Sequence, residues 1–591
     1  MHASTDTAVR RKRLVVAALL TTHALLLAWA DLRSSPTVDE PMHLVAGIYH
    51  WQTGRFDLDR GNPPLAGLVS ALPVMVAAPE TEWRRVPATY AVAMDFMEVN
   101  GLRTCWLVTL GSWACIPFSL LGGYICYRWS TDLYGNAAGI TALTLWCFSP
   151  NVLAYGQWIA GDMPATATGV AAAYFFWRWL READYWNAIL AGLALGLAQL
   201  AKFVWVFLYI LWPLLWIGWY LTSRRQAGRA GLFSQVFQLA TILFVCLYVI
   251  NLGYAFDGTL DRLKDYHVGR LVLAWCSESG PESPSDSATL ANLPVPFPED
   301  YIGGIDEIAQ LTERPRVTYI RREWRDGGVW YYYLYGILVK MPAGTIAMGV
   351  VAAALAALSW RRKADWRSEA LLLALITLTI TFVSMSRTPQ TFRYVLPFLP
   401  FAIIWISQAG RAITQGRRSH ALVVSALLAW AVLSGLHTYP HCLSYFNEPA
   451  GGPARGHAHL TGFDSDYGQD FLFLREWLSQ HPEASPLGLT WRHPLIDPND
   501  LEIEYIDVPA GLVHGHTHSM AQRYGLGPQP GWYAVNVGAL RARHGGYAYF
   551  HCFEPVGHAG YSISIYHITT EEANRVRKDL GLPELLSETG F

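Results

Sequence analysis

A succession of apolar runs, most of them near the length of a membrane crossing, restricts this chain more than any other feature. They lie near 14–30, 104–127, 136–151, 163–180, 186–200, 203–221, 234–252, 332–359, 369–385, 394–409 and 420–437. A crossing helix needs about 20 apolar residues at ~1.5 Å each. Within a bilayer each backbone N–H and C=O must find its partner inside the protein, so every run is predicted as a helix. The expected fold is a polytopic α-helical membrane protein with about 11 transmembrane helices. Composition agrees: 52% of the 591 residues are hydrophobic and 15% charged, against about 25% charged in a soluble domain.

Basic residues orient the runs. Arg10, Arg11, Lys12 and Arg13 precede the first. Such clusters stay in the cytoplasm, so the N-terminus is expected there. Arg128, Arg178 with Arg181, Arg224 with Arg225 and Arg229, Arg361 with Arg362 and Lys363, and Arg417 with Arg418 then all fall on the same side. An odd number of crossings sends the C-terminal region outside. Ala28-Trp29-Ala30 has the form of a signal-peptidase site, but a topology that keeps the first run as a span works throughout. A multi-pass membrane protein with its C-terminal region extracytoplasmic is expected.

Two units follow. Residues 1–437 form the membrane part, with outer loops 31–103 and 253–330. Pro41 to Trp51 is an interfacial helix candidate, and 63–79, short and opened by Pro63-Pro64, reads as interfacial or re-entrant. Residues 438–591 are expected as an extracytoplasmic α/β domain. Strands are predicted at 531–537 and 561–566, and helices at 469–479 and 570–580. A net charge of −2 argues against nucleic-acid binding. Of eight cysteines, Cys276, Cys442 and Cys552 lie outside the runs, and Cys442 with Cys552 is the expected pair if one forms.

Chemistry concentrates at the outer ends of the runs. Thr37-Val38-Asp39-Glu40-Pro41 puts two acids beside the bilayer, with Gly61-Asn62-Pro63-Pro64-Leu65 downstream. Asp39 equally suits a helix N-cap with proline in the first turn. Gly161-Asp162-Met163-Pro164 repeats the pattern on the same face, with the same alternative. Lys202, Arg387 and Arg393 are basic residues on the outer side, against the orientation bias. A phosphate at the membrane surface would explain them, as would snorkelling to lipid headgroups. His514, His516 and His518 alternate in a loop; they suit zinc or copper, but no carboxylate or cysteine accompanies them closely.

With these residues in place the chain resembles a GT-C superfamily glycosyltransferase of the protein O-mannosyltransferase and aminoarabinose-transferase type, within the bacterial phospholipid-carrier-dependent subgroup. The resemblance rests on Asp39-Glu40, Asn62-Pro63-Pro64-Leu65, Asp162-Met163-Pro164, Lys202 after Leu197-Ala198-Gln199-Leu200, and Arg393-Tyr394-Val395-Leu396-Pro397. Farther on, Tyr445-Phe446-Asn447-Glu448 and Asp466-Tyr467-Gly468-Gln469-Asp470 fit the subgroup, while Gly462-Phe463-Asp464 and Tyr467 depart from it. The resemblance therefore assigns the C-terminal region no part in transfer. It implies a multi-pass enzyme of a bacterial inner (plasma) membrane moving a hexose or pentose from a polyprenyl-phosphate donor to an extracytoplasmic hydroxyl of a protein, lipid or glycan, with inversion. Asp39 is expected as base or orienting acid, supported by Glu40 and Asp162. Lys202, Arg387 and Arg393 are the expected phosphate contacts, and Asn62 belongs to the substrate loop. No metal ligand is assigned; a divalent cation stays open as cofactor. Membrane lipids are the remaining expected partners. The rival readings are a lipid-linked-sugar flippase or transporter, which needs polar groups at mid-bilayer, and a non-catalytic membrane scaffold. The predicted span centres are nearly free of charge, which favours the enzyme.

Overall fold

In the computed structural model the described residues are 2–223, 231–266, 292–313, 317–359, 366–385, 391–415, 417–490, 497–511 and 526–585. Arg387 and His514–His518 lie outside them.

Every predicted run is helical. Among the described residues, seven helices are long and apolar enough to cross a membrane: Val9–Arg33, Arg103–Tyr134, Phe203–Thr222, Leu232–Gly253, Trp366–Met385, Phe392–Thr414 and Arg418–Thr438. Tyr332–Lys340 and Ala343–Ala357 form a pair bent by 109°, which makes up to eight. The run 332–359, read above as one crossing, therefore breaks. Pro342 has no N–H and disfavours helix in the residue before it; Met341 is extended accordingly. Eleven crossings are not reached on length and composition alone.

The N-terminal third sets up the site. It runs α1 (His2–Arg33), α2 (Glu40–Thr53), α3 (Leu65–Val76), α4 (Thr89–Asn100), α5 (Arg103–Tyr134), α6 (Asn136–Cys147), α7 (Pro150–Tyr155), α8 (Asp162–Glu182) and α9 (Tyr185–Ala201). α2 and α3 cross in backbone contact. A Cβ on Gly47 would stand 2.0 Å from the Gly67 carbonyl oxygen, so only glycine fits. α8 is buried on nearly every side. Its small and aromatic residues make it apolar all round, which suits a core helix rather than a lipid-facing one.

The two ends of the bundle differ in charge. At one end Lys12 donates to Asn136 Oδ1 at 2.5 Å and lies over the Tyr127 ring. Arg181 lies over Trp177, whose indole donates to Ser368 Oγ, and Arg367 reaches the Thr222 carbonyl. Basic residues far apart in sequence thus share one end. Asp162 lies at the other end of α8 from Arg181.

The C-terminal region carries a five-stranded sheet in the order β4-β3-β5-β7-β6. A small hairpin within residues 253–330 supplies β1 (Val317–Ile320) and β2 (Glu323–Asp326). The sheet comprises β3 (Leu487–Leu489), β4 (Tyr505–Asp507), β5 (Gly531–Asn536), β6 (Gly557–Ala559) and β7 (Ile563–Ile568). β3 is parallel to β4 and β5; β7 is antiparallel to β5 and β6. The two strands and two helices predicted from alternation and periodicity are β5, β7, Phe471–Gln480 and Thr570–Asp579. Phe471, Leu474, Leu487 and Ile565 share one apolar cluster with Leu44, Ile48 and Leu107, so the sheet packs against α2 and α5. The expected Cys442–Cys552 disulfide is not formed: Cys442 is a buried free thiol and Cys552 an exposed one.

Candidate functional site with two ion pairs

Asp39 stands at the N-cap position of α2, but its side chain makes no capping bond. Pro41 already occupies the first turn, and its missing N–H is one the helix could not have bonded. The carboxylate turns toward Arg393 instead. Oδ2 accepts from Arg393 Nη1 at 2.7 Å and from Tyr467 Oη at 3.2 Å. Oδ1 accepts from no group among the described residues. Burial alone would raise the Asp39 pKa; Arg393, then His43, outweigh it and hold the group below the usual carboxylate range. Asp39 is therefore ionised at neutral pH, with one oxygen fixed and one free.

Glu40, its neighbour, is spent on structure. Oε2 accepts from Thr37 N at 2.8 Å and Thr37 Oγ1 at 2.9 Å; Oε1 accepts from Ser112 Oγ at 2.9 Å and Ile159 N at 3.1 Å. A carboxylate has about four lone-pair sites, and all are used. Glu40 ties the start of α2 to α5 and to the link between α7 and α8. One turn beyond Asp39, His43 Nδ1 meets Asp59 Oδ2 at 2.8 Å, and Asp59 Oδ1 accepts from Asn62 Nδ2 at 2.9 Å. Among the described residues, Asn62 thus reaches the site through Asp59 and His43. Burial would lower the His43 pKa, but Asp59 outweighs it and the net shift is upward.

The second acid arrives on a helical hairpin. Asp184 caps α9 by accepting from Asn187 N at 2.9 Å, which returns the chain antiparallel to α8. Gly161 lets the start of α8 touch the end of α9, since a Cβ there would come within 2.5 Å of the Ala201 carbonyl oxygen. Asp162 Oδ1 and Lys202 Nζ consequently meet at 2.5 Å. Asp162, like Asp39, makes an ion pair and no cap. Lys202 lies 4.8 Å from the Tyr394 ring centroid, and Arg393 lies 5.5 Å from the same ring. The two ion pairs flank one tyrosine, so four residues singled out from sequence, Asp39, Asp162, Lys202 and Arg393, come together.

Sequence reasoning assigned no role to Tyr467, Tyr394 or Asp464. Asp464 Oδ1 accepts from Phe392 N at 2.6 Å, and its other oxygen accepts from Tyr332 Oη. The signal for two of them was present: Tyr467 lies in the Asp466–Asp470 motif and Tyr394 follows Arg393. Among the described residues, several buried polar atoms nearby have no hydrogen-bond partner: Arg393 Nε, Thr391 Oγ1, Tyr155 Oη and Trp158 Nε1. Tyr155 feels the charges of Asp464, Arg393 and Asp162, and Trp158 packs 5.7 Å from the Tyr467 ring. Unpartnered donors thus lie in the same cluster as Asp39, whose Oδ1 is an unpartnered acceptor among the described residues. Among the described residues no group of three or more His, Cys, Asp or Glu could hold a metal ion.

Fold and site together define a polytopic helical membrane protein with paired acids and bases at one end of its bundle. No family model and no curated protein matches the chain. Among solved structures it is similar to ArnT from Cupriavidus metallidurans bound to undecaprenyl phosphate, at 12% identity over 93% of this chain and 97% of that one, with a TM-score of 0.44. The protein O-mannosyltransferase Pmt1-Pmt2 complex of S. cerevisiae, bound to the sugar donor, is 12% identical over 73% of this chain and 90% of that one, with a TM-score of 0.46. The oligosaccharyltransferase AglB from Archaeoglobus fulgidus, in complex with an inhibitory peptide and a dolichol-phosphate, is 11% identical over 94% and 74%, with a TM-score of 0.39. Likeness at this level assigns no residue of this chain a role.

Proposed function

We propose that this protein is an integral-membrane glycosyltransferase of the GT-C kind that moves a sugar from a polyprenyl-phosphate donor to an acceptor hydroxyl on the extracytoplasmic side. One observation carries the reading. Asp39 is an ionised carboxylate with Oδ2 held by Arg393 and Tyr467 and Oδ1 free, beside a second cation, Lys202. The acceptor O–H donates to Oδ1, which orients it and takes the proton as its oxygen bonds to the anomeric carbon. The bond from that carbon to the phosphate oxygen breaks in the same displacement, so configuration inverts. Charge gathers on the departing polyprenyl phosphate. Fixed donors already aimed there stabilise it without reorganising, and Arg393 Nε and Lys202 suit that task. Asp162 holds Lys202 in place, and Glu40 holds the segment bearing Asp39.

The test is transfer by the purified protein in detergent, with a labelled polyprenyl-phosphate hexose or pentose and a hydroxyl acceptor. Asp39→Asn keeps the shape and removes the base, so turnover should fall by at least about 10²-fold with the fold intact. Near-normal turnover by that variant would reduce Asp39 to a structural residue and sink the mechanism.

A further inference from the structure

One segment between the last long helix and the sheet touches the backbone beside both members of the Asp39–Arg393 pair. The Tyr467 carbonyl accepts from Val38 N at 3.1 Å, directly before Asp39, and the Gln469 carbonyl accepts from Ser35 N at 3.0 Å. On its other side Asp464 Oδ1 accepts from Phe392 N at 2.6 Å, directly before Arg393. The segment is itself anchored twice. The Asp464 carbonyl accepts from Lys340 Nζ at 2.5 Å, at the break of the bent pair. Asp466 accepts from Asn536 at the end of β5, and Asp470 Oδ2 accepts from Ser562 N at 3.1 Å and Ser562 Oγ at 2.8 Å, at the start of β7.

We propose that Asp464–Asp470 is a strap that holds the Asp39–Arg393 pair open, with Asp464 and Tyr467 as positioning residues for transfer. The inference rests on the reading of Asp39 and Arg393 given above. An arginine and a carboxylate left to themselves tend to close into a bidentate fork with two parallel bonds. Here only Nη1 and Oδ2 are joined. Tyr467 donates to that same Oδ2, and its ring lies 5.3 Å from the guanidinium. Asp464 fixes the backbone from which Arg393 projects. Neither partner is free to rotate into the fork, and the pair keeps Oδ1 for the acceptor and Nε for the donor phosphate. A closed fork would use up Oδ1 and a second guanidinium N–H.

A double-mutant cycle tests the strap in the full-length protein. Tyr467→Phe deletes one hydroxyl and should fold; it should lower kcat about tenfold to a hundredfold, the range for a lost hydrogen bond to a charged group, with the donor KM unchanged. Unchanged kcat overturns the role of Tyr467. Asp464→Ala should lower kcat and raise the donor KM, and Asp464→Asn, which keeps an acceptor for Phe392 N, should recover most of the loss. In an Arg393→Ala background, Asp464→Ala should add less than about twofold, because residues acting through one another are not additive. A full second loss there makes Asp464 a general structural residue and removes the strap. Melting temperatures of the same four proteins give a cycle that needs no turnover, with coupled losses expected. If the wild-type protein transfers nothing, the proposed function fails and the melting cycle alone decides the strap. If it transfers and both cycles are additive, the strap alone fails.

Discussion

Asp162 and Lys202 differ from the first pair in how little water reaches the acid, whose side chain is 5% exposed. Removing one member of such a pair leaves a buried charge uncompensated, typically at about 3–5 kcal/mol. Lys202→Ala should therefore lower the melting temperature as well as donor affinity, and Asp162→Asn added to it should restore stability but not affinity. Affinity recovered along with stability would deny Lys202 a contact with the donor. Asp39 gives a pH signature. Its folded pKa lies below the usual value, so its contribution to stability is present above the unfolded value of about 4 and is lost as pH falls through the folded one. Asp39→Asn should be less stable than the wild-type protein at neutral pH, the gap narrowing in acid. A gap independent of pH between 3 and 7 would mean that the ionised form is not what Arg393 stabilises. The acids themselves were legible from sequence, because Asp-Glu-Pro and Asp-Met-Pro stand at ends of apolar runs. Their ion pairing was not, since a cap and an ion pair require the same residue at the same place, and only the position of the distant cation decides between them.

At the scale of elements, His43 ties α2 to the loop that follows it. Its folded pKa is raised, so the stabilisation is fully present below the unfolded value of about 6.5 and is lost as pH rises through the folded one. Asp59 bonds the ring directly, and the Asp39 and Arg393 charges also act on it. Melting of the wild-type protein should fall between pH 6 and 9 more steeply than that of His43→Gln; equal slopes would show that the imidazolium adds nothing. Helix positions were readable because apolar length and proline placement are local properties. The helix at 40–53, the short one after Pro63-Pro64 and ten of the eleven runs are helical where apolar length puts them, while the run 332–359 is broken in two. The break at Met341-Pro342 was masked by the apolar residues on both sides of it. What fixes it lies elsewhere in the chain: Lys340, buried, donates to the Leu443 carbonyl at 2.8 Å and to that of Asp464. A lysine inside an apolar run announces that it needs acceptors, not which loop supplies them.

For the molecule as a whole, the gathering of Lys12, Arg181 and Arg367 at one end of the bundle fits a cytoplasmic basic face, with the site and the sheet opposite. Cys552 is exposed and free, which allows a direct check in sealed vesicles. A membrane-impermeant maleimide should reach Cys552 from one side and a cysteine introduced by Lys12→Cys from the other. Labelling of both from the same side would put the site at the wrong face for an extracytoplasmic acceptor. The order of synthesis carries a further meaning. Tyr467 and Asp39, hydrogen-bonded to each other, are 428 positions apart. Arg393 and Asp39 are 354 apart. A ribosome makes Asp39 before Arg393, and Tyr467 only after every predicted membrane helix. A nascent or truncated chain therefore holds its acid without the groups that orient it until Arg393 and then Tyr467 have been added.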